Sequence, residues 1–288
     1  MDTIRNPIEW GRDQLKHAAF ALGTTARAIG GTHEGQDAAP PVVRRIAVAD
    51  LRDVLAKGFS DFGAYRTDVI FLCLIYPVVG LVLARAAFGA DMLPLLFPLA
   101  SGFALVGPVA AVGLYEMSRR REQGDQITWA DAFGVVGSPS FGAIVILGLI
   151  LGVIFVAWMV VAQVIYDLTL GPQPPVSIEA FVSDVFTTAA GWTMIVVGVG
   201  IGFLFAVLVL AISVVSFPLL IDRGVGLGTA IRTSVRAVIV NPVPMAAWGL
   251  IVAGSLVVGS IPLFVGLIIV MPVLGHATWH LYRKVVTR

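Results

Sequence analysis

Two histidines near the carboxyl end of the chain have the residue type and spacing best suited to chemistry. His276 and His280 lie four positions apart in the run Gly-His-Ala-Thr-Trp-His-Leu-Tyr-Arg. Residues four apart share one face of a helix, so both imidazoles could ligate one metal ion if other helices supplied further ligands. The pair could not hold one haem between them, because axial ligands approach the iron from opposite faces.

The same run is also typical of a membrane interface. Trp279 and Tyr282 would lie at headgroup level, with the basic residues Arg283 and Lys284 just beyond them. A third interpretation gives the histidines a role in packing or in contact with lipid headgroups. We favour the interfacial belt, and predict no catalytic residue, no cofactor and no metal, with His276 and His280 as the only metal-ligand candidates.

Polar residues near the apolar segments are few. Gln163 is the one deep amide, and we predict that it hydrogen-bonds between helices. Glu116 and Asp167 end apolar segments and are interpreted as interfacial caps or members of local ion pairs. The centres of the apolar segments contain no Asp, Glu, Lys or Arg, which disfavours a proton-coupled pump. We find no phosphate loop, nucleophile elbow or carboxylate pair, and therefore predict a non-enzyme.

Two pairs of glycines have the spacing of a close helix contact. Gly148 and Gly152 form one pair, and Gly198 and Gly202 form the other. Small residues four apart let helix backbones approach closely, so both pairs are predicted to support packing, within the chain or against a second copy.

Composition indicates the elements that must position these residues. Charged residues make up only 13% of the 288 positions, hydrophobic residues make up 58%, and the mean hydropathy is +0.92. A soluble domain carries about a quarter charged residues. The sequence therefore predicts an all-α polytopic membrane helix bundle with lipid as its solvent. The net charge of +1 gives no indication of nucleic-acid binding.

Charge-free intervals of helical length predict about six spans. A thin amphipathic helix over 1–29 and a flexible linker over 30–45 precede the membrane domain, 46–288. That domain opens with an amphipathic stretch over 46–64, whose apolar face we assign to residues 48, 51, 54, 55, 59 and 62. The predicted spans are 69–87, 92–115, 141–166, 189–217, 244–259 and 261–282, and the last two could instead form a re-entrant pair.

The basic residues indicate the orientation. Lys and Arg cluster before the first span, after the second and fourth, and at the carboxyl terminus, whereas the loop 167–188 contains none. Short basic loops stay on the cytoplasmic side, so six spans place all four clusters and both termini there. Helical segments before the odd-numbered spans also suggest a weak repeat, an interfacial helix plus a hairpin used three times.

The carboxyl-terminal half resembles a proteobacterial family of integral membrane proteins of unknown function. The resemblance rests on Phe-Pro-Leu-Leu-Ile-Asp-Arg (217–223), Asn-Pro-Val-Pro-Met (241–245) and the ending from Pro272 to Arg283. It implies a multi-pass protein of the bacterial inner membrane. Some members carry the label of cytochrome c oxidase subunit I, but that subunit needs about twelve spans and six histidine ligands, which this chain cannot supply.

Two classes of function follow from the sequence. We favour a non-catalytic membrane protein that acts by association, in an accessory, assembly or envelope-organising role, with the lipid bilayer, a membrane protein or a second copy as partner. The alternative is a permeation or lipid-handling protein for neutral or lipid-like solutes. A redox accessory that uses His276 and His280 as ligands is a distant third.

Overall fold

The computed structural model describes residues 41–73, 93–125, 127–172 and 175–287, together with Val78, Leu81 and Arg85. The predicted helix over 1–29, most of the linker and most of the first predicted span lie outside these residues. The described helices are α1 (Asp50–Cys73), α2 (Leu96–Ala110), α3 (Val112–Gln123), α4 (Phe141–Thr169), α5 (Ile178–Thr187), α6 (Ala189–Ser213), α7 (Ser216–Asp222), α8 (Leu227–Val240), α9 (Pro242–Ser260) and α10 (Leu267–Val285).

These helices confirm the predicted fold class, an all-α membrane bundle. Four helical stretches among the described residues are long and apolar enough to cross a membrane: Leu96–Gln123, Phe141–Thr169, Ala189–Asp222 and Pro242–Ser260. The first combines α2 with α3 and continues eight residues beyond the predicted end at Tyr115. The third combines α6 with α7. The sixth predicted span corresponds to α10, which is helical but does not reach the same hydropathy.

Helix α10 lies inside the protein and packs antiparallel to α1. The two helices approach closely at Gly58, where an added Cβ would lie 2.7 Å from the Ala277 Cβ and 2.8 Å from the Val273 carbonyl oxygen. At the end of α10, Lys284 Nζ lies 3.1 Å from Oδ1 of Asp50, at the start of α1. From Met271 to Val285 most side chains of α10 are buried, so this half of the helix forms part of the core.

The buried stripe of α1 differs from the predicted apolar face. Leu51 and Val54 are buried as expected, but the stripe continues through Gly58 to Asp61. Phe59, which we assigned to the apolar face, is 57% exposed. The seven-residue step from Val54 to Asp61 brings the carboxylate onto the same face, since seven residues are close to two helical turns.

The predicted outer loop, 167–188, contains a helix of its own. Helix α5 begins after Ser177, whose hydroxyl accepts a hydrogen bond from the Ala180 backbone N–H at 3.1 Å. Val185 on its inward face is buried. Phe181 lies on the same face, and its ring packs edge-on against Tyr166. Ile178, Val182 and Phe186 form an exposed stripe beside this face.

Within the described part of the chain, only one glycine of each predicted pair lies at a contact between helices. Gly148 faces Val109, and Gly202 faces the Trp158 indole, where an added Cβ would lie 3.0 Å away. Gly152 and Gly198 have no described atom within 4 Å of an added Cβ. Gly148 and Gly202 therefore support contacts between helices within the chain, whereas a packing role of Gly152 and Gly198 against a second copy stays a prediction.

The end of the bundle where α1 begins and α3 and α10 end, here called the polar end, also holds the two described ends of the chain. Val43 pairs with Val286 in an antiparallel bridge. The buried Asn241 amide joins this segment to the α8–α9 junction, because it accepts from the Ile46 N–H at 2.8 Å and donates to the Arg44 carbonyl at 3.0 Å. All four basic clusters contribute residues to this end, as the loop pattern requires.

Candidate polar site

Five side chains from three helices form the polar cluster: Asp61 of α1, Ser118 and Arg121 of α3, and His276 and His280 of α10. The Ser118 hydroxyl donates to Asp61 Oδ2 at 2.6 Å and lies 2.7 Å from His276 Nδ1. His280 Nε2 lies 2.9 Å from the same Asp61 oxygen, and Arg121 donates to the other one at 2.5 Å. The cluster joins α1, α3 and α10 at the point where they converge.

The hydrogen bonds determine which ring nitrogen of His276 carries the proton. An ionised Asp61 only accepts, so the Ser118 proton points to Asp61 and the Ser118 oxygen must accept from His276. His276 therefore carries a proton on Nδ1 and, as a neutral ring, a lone pair on Nε2. Nε2 is buried without a hydrogen-bond partner among the described residues.

Asp61 remains ionised in this environment although its side chain is only 7% exposed. Burial by itself raises the pKa of Asp61, but the hydrogen bonds from His280 and Ser118 lower it, and the pKa lies below its ordinary value. The negative charge is thus balanced inside the protein by donors from α3 and α10.

A second set of ion pairs continues the polar end beyond the cluster. Glu116 is 3% exposed and accepts from Arg119 and Arg120, each at 2.7 Å, as predicted for a local ion pair. Arg120 also reaches Asp131 at 2.5 Å. Asp131 belongs to a capping box in which the Thr128 backbone N–H donates to its carboxylate, and this bond lowers the pKa of Asp131.

Gly134 makes room for one of these arginines. It lies in the 3₁₀ helix Trp129–Gly137, and an added Cβ would lie 2.4 Å from an Arg120 guanidinium nitrogen. A side chain at position 134 would therefore require the Arg120 guanidinium to move.

The interfacial belt predicted for Trp279 and Tyr282 is wrong. Both residues have 0% exposure, and their rings pack at a centroid distance of 5.5 Å. Each polar atom has an internal partner, because the indole N–H donates to Glu122 at 3.2 Å and the phenol donates to Asp222 at 2.5 Å. Aromatic residues with a polar atom can serve at a membrane surface or in a core that supplies acceptors, and here the core supplies them.

The predicted hydrogen bond from Gln163 to another helix is also wrong. Its amide donates to Asp167 at 2.8 Å, one turn later on the same helix α4. The bond is therefore local, and Asp167 is its acceptor.

The two histidines lie together, as their spacing predicts, but each contacts a different residue. His276 contacts Ser118, and His280 contacts Asp61. Within the part of the chain that the structure describes, no group of three or more His, Cys, Asp or Glu side chains is arranged to hold a metal ion. Sequence reasoning missed Ser118 and Asp61, although the position of Asp61 seven residues after Val54 was a usable signal.

The cluster contains Ser, His and Asp, but not in the order that activates a nucleophile. In a catalytic triad the histidine lies between the other two and takes the serine proton. Here the serine lies between histidine and aspartate, and its proton already points to the carboxylate. With Ser118 at 2% and His276 at 0% exposure, the arrangement is suited to holding helices together.

Comparison with known proteins gives a match to a family of membrane proteins over part of the chain. A family described as predicted integral membrane protein (DUF2189) matches residues 96–222, which run from the start of α2 to the end of α7. No curated protein and no solved structure matches the chain. Together with the apolar helices, this match identifies an integral membrane protein whose helices contact the lipid bilayer.

Proposed function

We propose that this chain is a non-catalytic protein of the bacterial inner membrane that acts by association, in an accessory, assembly or envelope-organising role. It crosses the membrane six times, with α1 leading into the first span and α10 forming the last. Both termini lie in the cytoplasm. This placement is supported by the basic residues of α3 and α10 and by Arg223, which follows α7, because all of them lie at the polar end, as the distribution of Lys and Arg requires.

The observation that carries the non-catalytic assignment is the burial of the polar cluster. Asp61, Ser118 and His276 have exposures of 5%, 2% and 0%, and they bond to one another. A nucleophile or general base must lie within hydrogen-bond reach of a bound substrate. These residues are directed at each other instead, which supports a structural role for them.

The association is supported by the exposed apolar surface of α6. In the most apolar stretch of Ala189–Asp222 only 11% of residues are buried, compared with 29% in Leu96–Gln123. Exposed side chains such as Trp192, Val199 and Phe203 lie along α6. Lipid or a membrane protein must cover this surface, and α6 offers the largest uncovered share of the four stretches.

Two measurements on the full chain in mild detergent test the proposal. Native mass spectrometry is expected to show a complex of defined stoichiometry, either with a second copy or with another membrane protein. Val199→Trp on α6 should dissociate this complex, whereas Val153→Trp on the exposed side of α4 is the matched control and should leave it intact. A single copy carrying only lipid, in the wild type and in both variants, would contradict association.

The second measurement tests the absence of catalysis. A fluorophosphonate probe reacts with activated serines, so we expect no labelling of the folded wild-type chain at Ser118. Labelling of the wild type that disappears in Ser118→Ala would show an accessible nucleophile and overturn the non-catalytic assignment.

A further inference from the structure

A recess at the polar end contains more positive than negative side chains. It has a volume of about 350 Å³ and lies between the ends of α3, α7 and α10. Three guanidinium groups, two carboxylates and one indole line it, from Arg119, Arg223, Arg283, Glu122, Asp222 and Trp279. The polar cluster lies elsewhere, since none of its five residues lines this recess.

The three arginines differ in how many of their guanidinium nitrogens donate a hydrogen bond. Arg283 is fully engaged, because Nε and Nη2 donate to Glu122 and Nη1 donates to Asp222. Arg119 directs Nε and Nη2 at Glu116. Arg223 donates through Nη2 to the Thr287 carbonyl, while its Nε lies 3.7 Å from Asp222, beyond hydrogen-bond distance.

Two guanidinium nitrogens are thus available to a ligand. Nη1 of Arg119 and Nη1 of Arg223 have no partner among the described residues. The Arg223 side chain is 26% exposed and that of Arg119 is 27% exposed, so both are held in place and still accessible. Guanidinium groups fixed by neighbouring carboxylates lose little side-chain entropy when they bind an anion.

In the proposed membrane placement, the recess also lies at the depth of the lipid headgroups. Two of the candidate membrane stretches, Leu96–Gln123 and Ala189–Asp222, end at its wall. Basic recesses between helix ends on the cytoplasmic side are suited to phosphate groups of anionic lipids.

We propose that this recess binds a phosphate group, with Arg223 and Arg119 as its donors. The group can be the headgroup of an anionic phospholipid or a soluble phosphate, since both present the same oxygens to the two guanidinium groups. The lipid form rests on the proposed placement of the polar end at the membrane surface, whereas binding of soluble phosphate does not.

The test compares ligands and variants on the full chain purified in mild detergent. Native mass spectrometry measures the fraction bound after addition of phosphatidylglycerol or phosphatidylcholine, with and without millimolar inorganic phosphate. Phosphatidylglycerol is expected to bind in preference to phosphatidylcholine. Arg223→Gln should lower the affinity for phosphatidylglycerol about fivefold, because one positive charge near an anionic headgroup contributes about that factor.

Two further variants separate ligand binding from damage to the fold. Arg236→Gln makes the same charge change on an exposed residue of α8 outside the recess and should bind like the wild type. Arg223→Lys keeps the charge and should bind between the wild type and Arg223→Gln. Thermal unfolding of all three without ligand should agree with the wild type.

The outcomes also distinguish the two sources. Phosphatidylglycerol binding that inorganic phosphate does not reduce identifies a lipid headgroup. If inorganic phosphate binds and Arg223→Gln weakens that binding, the ligand is a soluble phosphate. The membrane placement of the polar end is then tested only by the topology measurements. Equal binding of both lipids, or equal loss in Arg223→Gln and Arg236→Gln, would overturn the proposal.

Discussion

Asp61 of α1 and His280 of α10 lie 2.9 Å apart although 219 positions separate them in the chain. Asp61 also accepts from Ser118 and Arg121, so one carboxylate joins three helices. The buried carboxylate stabilises the bundle only while all its donors are present. If one partner were removed, a buried charge would be left without its hydrogen-bond partner or counter-charge.

The first prediction concerns the removal of this charge. Asp61→Asn keeps the shape of the side chain but weakens the bonds from Ser118, His280 and Arg121. We expect a loss of about 3 kcal/mol in the free energy of unfolding, as for other buried pairs that lose one partner. Thermal and denaturant unfolding in mild detergent measure it.

Asp53→Asn is the matched control on the same helix. Asp53 pairs with Lys57 and Lys284, and its side chain is 48% exposed. Exposed pairs contribute less than about 1 kcal/mol. Equal losses in Asp53→Asn and Asp61→Asn would mean that the polar cluster does not hold α1 in place.

The second prediction concerns pH. The pKa of Asp61 is lowered in the folded protein from its ordinary value of 3.8, so the ionised form contributes stability that is fully present above that value. The contribution is lost as the pH falls through the folded pKa. The difference in melting temperature between wild type and Asp61→Asn should therefore persist from neutral pH down to about pH 5 and shrink only below about pH 4.

His276, His280 and Arg121 face Asp61 and contribute to the same equilibrium. His280→Gln replaces one of the side chains that bond to Asp61 and serves as the comparison in the same pH series. A difference between wild type and Asp61→Asn that grows as the pH falls would show that Asp61 is neutral in the folded protein.

The sequence allows part of this arrangement to be predicted. The all-α membrane bundle follows from hydropathy, and the shared face of His276 and His280 follows from helical spacing. The burial of Trp279 and Tyr282 does not, because their acceptors, Glu122 and Asp222, come from other helices. An aromatic residue beside Arg and Lys gives the same local pattern at a membrane surface and inside a polar end, and only the tertiary structure distinguishes the two.

The role of Ser118 is similarly hidden. It stands one residue before three consecutive arginines, where a serine gives no local sign of burial. Its partners, Asp61 and His276, lie 57 and 158 positions away. Asp61 could have been identified from its place on the buried stripe of α1, where a lone carboxylate needs donors from a neighbouring helix.

The third prediction concerns the contact between α1 and α10. Gly58→Ala would place a methyl group 2.7 Å from the Ala277 Cβ and 2.8 Å from two backbone atoms of α10. The helices must separate, at a cost of about 1–3 kcal/mol in the free energy of unfolding. Unfolding in detergent measures the cost.

Gly63→Ala provides the opposite expectation on the same helix. No atom of the described residues lies within 4 Å of a Cβ added at Gly63. Alanine at that position should stabilise α1 by about 0.5–1 kcal/mol, since glycine loses more backbone freedom in a helix. If both substitutions stabilised the protein, the close approach of α1 and α10 at Gly58 would be refuted.

The fourth prediction concerns topology. Val176 is 98% exposed in the segment before α5, and the loop around it contains no Lys or Arg. Alkaline phosphatase fused after Val176 should be active, because this loop is proposed to face the periplasm. Green fluorescent protein, which folds in the cytoplasm, should fluoresce when fused after Gln123, Val225 or Arg288. These three sites follow basic segments at the polar end, so a phosphatase signal at any of them, or its absence at Val176, would require a different number of spans.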